Sequence, residues 1–206
     1  MGINAYQVVR NFEAAMADFT GAPYAVAVDS CSAALFLCCL FEKVKDKSEV
    51  VLPKFTYPSA ANSVVNAGGR VRFEDIKWQG MGWYLFRNTR IVDCAKRLKR
   101  GGYFENTLMC HSFHAKKTIP IGRGGMIVTD DADANDWLRT ARFDGRHETP
   151  LQLDSLAGPG WNMYMTPAQA ARGLELMQWI ADDTLLPPDP YLDLSVYEFY
   201  TKANRC

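Results

Sequence analysis

Apolar and polar positions change period repeatedly along the chain, and each change predicts an element. Residues 8–19, VVRNFEAAMADF, place Val8, Phe12, Ala15 and Phe19 on one helical face, and Gly21 stops that helix. YAVAVDS at 24–30 reads as a buried strand. The apolar run SAALFLCCLFEKV at 32–44 reads as a helix that Ser30 or Ser32 is placed to cap. A strand at 49–53, EVVLP, is followed by a helix from Pro58 to Asn66 that Gly68 and Gly69 close. RVRFEDI at 70–76, RIVDCA at 90–95, TLMCHSF at 107–113 and GGMIVTD at 124–130 read as four more strands. Residues 133–142 look helical, and TPAQAARGLELMQWI at 166–180 reads as a longer helix with Pro167 in its first turn. Strands alternating with helices predict an α/β domain with a mostly parallel sheet.

After Ile180 the texture changes. ADDTLLPPDPYLDLSVYEFYTKANRC is proline-rich and then aromatic, which predicts a division into a domain at 1–180 and a C-terminal arm at 181–206. The arm is expected to end in a short helix or to pack on a partner. No internal repeat is present.

Composition narrows the function. The 23 basic and 23 acidic side chains cancel, which argues against a nucleic-acid surface, since such binding rests on neutralising phosphates. The one basic run, KRLKRGG at 96–102, reads as a solvated face. No stretch approaches the roughly 20 apolar residues of a membrane span. The N-terminus carries neither a secretory pattern nor the Ser or Thr of an acylation signal. The six cysteines, Cys31, Cys38, Cys39, Cys94, Cys110 and Cys206, lack metal-type spacing, so the expectation is a reduced cytoplasmic protein with no metal site.

The chemically rich words fall at the carboxyl ends of the predicted strands, where ligands bind in open α/β sheets: DSCS, LPKFTYP, VDCAK and CHSFHAKK. A strand-end lysine, a strand-end acid and a helix N-terminus together suit pyridoxal phosphate. Its aldehyde takes a lysine amine, its ring nitrogen an acid, and its phosphate oriented donors. Asp93 is a candidate for the acid, the helix start after Cys31 for the phosphate, and Tyr57 for stacking on the ring. Each has a plainer reading: a strand terminator, a cap, a turn residue.

The same residues carry a resemblance. FTGAPYAVAVDSCSAALFL is similar to the S-G-T-A-A-L segment of the DegT/StrS-like sugar aminotransferases, a pyridoxal-phosphate family of the aspartate aminotransferase superfamily. EVVLPKFTYPSAANSVVNAGGRVRFEDI, IVDCAK, SFHAKKTIPIGRGGMIVTDD and GPGWNMYMTPAQAARGLEL resemble four further blocks of that family, in order. The resemblance implies the three-layer fold type I large domain. It also implies a pyridoxal phosphate cofactor and amino transfer, with glutamate as donor and a nucleotide-linked keto-sugar as acceptor.

Matched residue by residue, S-F-H-x-x-K makes Lys117 the Schiff-base lysine, leaves Lys116 as its neighbour, and gives Ser112 to the phosphate. Asp93 falls on the partner of the pyridine nitrogen and Tyr57 on the stacking aromatic. Cys31 and Ser32 fall on the phosphate-side Gly and Thr of S-G-T, and Lys96 on a Gln or His that touches the cofactor's phenolic oxygen. Asn162 falls on an asparagine that reaches the phosphate of the second subunit, which implies a homodimer with shared sites.

Departures accompany the match. Arg123 stands for Glu in G-E-G-G and Tyr164 for Arg in N-Y-R. The family places a helix, a strand and a helix between the counterparts of RFEDI and RIVDCA, where this chain has only KWQGMGWYLFRNT. Most of the usual small domain is missing as well. The sheet must therefore close over a missing strand, or WYLF must fill the gap. The alternative to an enzyme is a trimmed homologue that keeps the cofactor-binding fold for binding or assembly, with little or no transaminase activity.

Overall fold

The protein is described by a computed structural model covering residues 4–47 and 49–202. The first three residues, which bear on the leader and acylation readings, and Cys206 lie outside the described residues.

Helix α1 (Gln7–Thr20) ends at Gly21, whose φ of 81° is the left-handed value that a side chain resists. Its buried face is Val9, Phe12, Met16 and Phe19, one step round from the Val8 and Ala15 predicted, and Glu13 sits in the middle of it. Strand β1 (Tyr24–Val28) leads into α2 (Cys31–Phe41). Of the two candidate caps, Ser30 is the one used, accepting from the Ala33 N–H at 3.1 Å. Then come β2 (Val50–Pro53), α3 (Pro58–Asn66), β3 (Val71–Glu74), β4 (Tyr84–Leu85), β5 (Ile91–Asp93), β6 (Arg97–Lys99), β7 (Leu108–Ser112), β8 (Gly125–Thr129), α4 (Ala132–Ala141), α5 (Pro167–Met177) and β9 (Asp183–Leu185). The arm ends in a 3-10 turn, Leu194–Val196, and the short α6 (Glu198–Lys202).

Strands β1, β8, β7, β5 and β4 pair in that order, and β2 pairs with β3. An antiparallel bridge between Val51 and Arg87 joins the two groups, with N–H donors 3.2 and 3.3 Å from their carbonyls. Followed through the pairings, β1, β7, β5, β2 and β3 run one way, and β8 and β4 run the other. WYLF thus fills the gap, in reverse. The reversal explains why so short a segment suffices. A parallel strand needs a crossover of a dozen residues or more, usually a helix, whereas an antiparallel one enters directly from the end its neighbour leaves.

Two cores cover the sheet. Val26, Val28, Leu52, Ile91, Cys110 and Ile127 pack toward α2, α3 and α4, whereas Ala25, Ala27, Val92, Met109 and Met126 pack toward α1 and α5. These are the three layers of a helix–sheet–helix sandwich. The basic run 96–102 is not only a solvated face. It contains β6, which buries Leu98 and pairs antiparallel with β9, while Arg97 holds Asp183 at 2.6 and 2.9 Å.

Strand β1 lies at the end of the sheet, and side chains satisfy its outward backbone. Glu13 Oε1 accepts from the Ala27 N–H at 2.8 Å, Arg142 donates to the Ala27 carbonyl, and Arg139 donates to that of Ala25 at 3.0 Å. Arg142 Nη1 also holds Glu13 Oε1 at 2.5 Å, and Arg139 Nη1 holds Oε2 at 2.8 Å. At the opposite end, β3 carries Arg72, which pairs with Glu49 and Glu74, and Phe73, edge-on to Tyr200 of α6 at 5.8 Å.

On β7, His111 is buried, and its Nε2 has no hydrogen-bond partner. Burial lowers its pKa from 6.5 to about 4. Between those values the unfolded chain binds a proton that the folded chain refuses, so stability falls as pH drops through that window. This shift is worth about 3 kcal/mol. Urea melts between pH 7 and 4 should show that loss in the wild type and less of it in His111→Gln.

No helix among the described residues is long and apolar enough to cross a membrane.

Candidate functional site

The carboxyl ends of β1, β2, β5 and β7 converge on one end of the sheet, and the predicted residues distribute around it. Asp93 closes β5 and is buried. Its Oδ1 accepts from the Ala95 N–H at 2.9 Å and its Oδ2 from the Tyr84 hydroxyl at 2.9 Å. Burial pushes the Asp93 carboxyl above its ordinary pKa, against the opposing pull of the Ala95 N–H, the Tyr84 hydroxyl and the Lys117 charge. The Lys117 charge thus reaches Asp93.

Lys117 rides on the loop between β7 and β8. Phe113 and Ile119 are buried and pin the loop at both sides, with Phe113 packed against Phe12 at 5.2 Å. The Lys117 N–H turns back to the His114 carbonyl at 2.9 Å. Lys117 is half-buried and Lys116 exposed, so the adjacent pair differ in setting.

Ser112, the last residue of β7, lies opposite Gly125 of β8. A Cβ on Gly125 would stand 2.5 to 2.6 Å from backbone atoms of Ser30 and Cys31, so only glycine lets β8 pass this close to the start of α2. Ser112 and the opening N–H groups of α2, at Cys31 and the exposed Ser32, thus border one corner. Burial first and the Asp93 charge second raise the Cys31 thiol pKa, with Lys117 opposing. Tyr57 precedes α3 and is 62% exposed.

Two predicted residues have other partners here. Lys96 is buried, and its ammonium holds Asp189 at 2.7 Å and the Pro187 carbonyl, both from the arm. Asn162 is exposed and donates to Asp144 at 3.2 Å. Of the departures from the family pattern, Arg123 pairs with Asp29 at 2.5 Å, and Tyr164 packs edge-on against Tyr6 and Phe143.

Sequence reasoning missed Tyr84, Thr56, Asp189 and Tyr191. The arm crosses the strand ends. The Leu194 N–H reaches the Lys54 carbonyl at 2.8 Å, Tyr191 stacks on Trp78 at 5.7 Å, and its hydroxyl donates to Asp189 at 3.0 Å. Beside it opens a groove of about 530 Å³ lined by Phe55, Trp78, Gln79, Met81, Asp189 and Tyr191. A second groove, of about 470 Å³, runs along α1 and α4, where Arg10, Arg139, Glu13 and Glu148 are engaged with one another or with Arg142.

The three-layer arrangement is that of the pyridoxal-phosphate-dependent aminotransferases, which the structural neighbours share. The chain belongs to the DegT/DnrJ/EryC1/StrS aminotransferase family, whose model matches residues 2–82 and 92–184. It is 26% identical over 224 residues to the spore coat polysaccharide biosynthesis protein SpsC of Bacillus subtilis, covering 84% of this chain and 57% of that one. GDP-perosamine synthase of Escherichia coli O157:H7 is 27% identical, covering 85% and 58%. In fold it is similar to the sugar aminotransferase CalS13 of Micromonospora echinospora, with a TM-score of 0.72, 20% identity, and 84% of this chain on 60% of that one. The chain thus spans somewhat over half the length of these relatives.

Proposed function

We propose that the chain transfers an amino group from an amino acid, glutamate by preference, to a nucleotide-linked keto-sugar, with pyridoxal phosphate as cofactor. The observation that carries this reading is the meeting of Asp93, Lys117, Ser112 and the start of α2 at one end of the sheet, in a chain of this family. The residues present fit the cofactor. Asp93 is a dry carboxylate for the ring nitrogen, Ser112 and the Cys31 and Ser32 N–H groups suit a phosphate, and Tyr57 offers a ring face. When bound, the cofactor supplies an aldehyde for a lysine amine and an electron sink for the carbon being aminated.

The chain's own residues do the rest. Lys117 carries the amine and then holds and moves the proton between substrate and cofactor carbons. Asp93, shielded from water, keeps the ring nitrogen protonated. Lys96 would pair with the cofactor's phenolic oxygen, as the resemblance implies, once Asp189 yields or shares it. The groove beside Tyr191 has room for the larger part of a sugar nucleotide, and the GDP-perosamine synthases among the relatives support that substrate class.

We take the active form to be a homodimer in which Asn162 serves the partner's site, as the family resemblance implies and as its exposure allows. Five free cysteines among the described residues are in keeping with a cytoplasmic setting.

The test is amine transfer. Purified chain with added pyridoxal phosphate, glutamate and a panel of nucleotide-linked 4-keto and 3-keto sugars should yield an amino sugar nucleotide by mass spectrometry. Cofactor binding with no product from any acceptor would sink the transaminase reading.

A further inference from the structure

The family match skips residues 83–91, the stretch that holds β4. That segment fills a place in the sheet, and it also delivers a side chain to the site. Tyr84 pairs with Asp93 in the antiparallel register, so the start of β4 meets the end of β5. Only a reversed strand brings its first residue to that end.

The Tyr84 hydroxyl has one proton, and the carboxylate of Asp93 accepts it at 2.9 Å. The same oxygen lies 2.7 Å from Thr56 Oγ1. With its own proton committed, Tyr84 must accept there, and Thr56 must donate. The chain therefore has one direction, Thr56 to Tyr84 to Asp93, and all three residues are buried. Trp78 at 4.8 Å and Phe86 at 5.8 Å hold the Tyr84 ring, so the hydroxyl does not wander. A dry chain of this kind is strengthened from link to link. Thr56 also adjoins Tyr57 in sequence, so the chain ties the ring-stacking position to the acid.

We infer that Tyr84 is a positioning residue for the cofactor, its hydroxyl fixing the Asp93 carboxylate where the ring nitrogen would meet it. This rests on the functional reading above. Among the described groups, Lys117, Cys31, Cys94, Cys110 and Tyr191 also interact electrostatically with Asp93, and none of them donates a hydrogen bond to it. Among the described residues, Oδ1 is held by the Ala95 N–H and Oδ2 by Tyr84.

Tyr84→Phe removes the hydroxyl and keeps the ring. Two readouts judge it. The first is pyridoxal phosphate affinity by absorbance titration, which should weaken about tenfold, in line with loss of a hydrogen bond to a charged group. In an Asp93→Asn background, Tyr84→Phe should cost much less, a coupling that a merely structural tyrosine would not produce. The second needs no cofactor. The Asp93 carboxyl, followed by carbon NMR and identified by its loss in Asp93→Asn, should titrate about one pH unit higher in Tyr84→Phe. Unchanged affinity, an equal cost in both backgrounds, or an unmoved titration each overturns the inference. A wild-type chain that binds no cofactor overturns the functional reading instead, and the titration then judges the Tyr84 contact alone.

Discussion

Lys117→Ala should abolish the absorbance band near the visible edge that added pyridoxal phosphate acquires on the wild-type protein, and Lys116→Ala should retain it. The two lysines are adjacent in sequence, so composition, net charge and loop length change identically in both variants. What differs is setting. Lys117 is half-buried and close enough to Asp93 and Cys31 for its charge to act on both, whereas Lys116 is exposed. Phe113 and Ile119 anchor the loop through buried apolar contacts that neither substitution touches. Lys117→Arg separates charge from chemistry, because a guanidinium keeps the cation but is a poor nucleophile at neutral pH. It should lose the band as fully as alanine does. Amine transfer by either Lys117 variant should fall roughly 100- to 10,000-fold, the range expected when a proton-transferring group is removed. A band that survives in Lys117→Ala and vanishes in Lys116→Ala would reverse the assignment.

The largest stability effect should come from Glu13→Ala. Glu13 is 3% exposed and Arg142 1% exposed, so the pair is out of water. Burial pushes the Glu13 carboxyl pKa up, but Arg142, Arg139 and the Ala27 N–H together pull it below the ordinary value. Its contribution is therefore present above the unfolded pKa and is lost as pH falls through the lower folded one. Removing the carboxylate leaves Arg142 buried with only the Ala27 carbonyl and a long contact to Glu148 at 3.3 Å. Breaking one side of such a pair costs about 3–5 kcal/mol. For a chain of this length that lowers the melting temperature by roughly 6–20 °C. The double variant Glu13→Leu, Arg142→Met should cost less than the two single changes together, since the fully buried guanidinium leaves with its partner and the part-exposed Arg139 keeps the Ala25 carbonyl. A Glu13→Ala protein within 1 °C of wild type in thermal melts would mean that water reaches Arg142.

Neither of those buried charges was legible in the sequence. Glu13 lies within a helix whose apolar face was placed one residue off, because a glutamate at a central position reads as a solvent face until its partner is known. That partner is 129 positions away. Elements with a strong period were legible: β2, α3, β7 and β8 fall within a residue of expectation, and α2 starts one residue early and stops three short of it. Strands β6 and β9 were not, since Arg97 and Lys99 alternate with a single buried leucine and carry no apolar run. The site divides the same way. Asp93, Ser112 and Lys117 stand in short words whose internal spacing carries the resemblance. Tyr84 and Asp189 reach the site from segments outside the family match, and only tertiary structure reveals the contacts they make. A signal for Tyr84 existed in WYLF, an aromatic strand word just ahead of RIVDCA, with nothing to say that it would run backward.

Both ends of the sheet bear on how copies of this protein can meet. A free strand edge is a template for another chain's strand and a starting point for fibres. Here the β1 edge is occupied by Glu13, Arg139 and Arg142, and the Asp29 N–H is taken by the Met163 carbonyl at 2.8 Å. The β3 edge carries Arg72 with its acidic partners and lies beside α6. Joining through either end of this sheet is thus disfavoured. A dimer can still bring residues such as Asn162 to a neighbour without either sheet being extended.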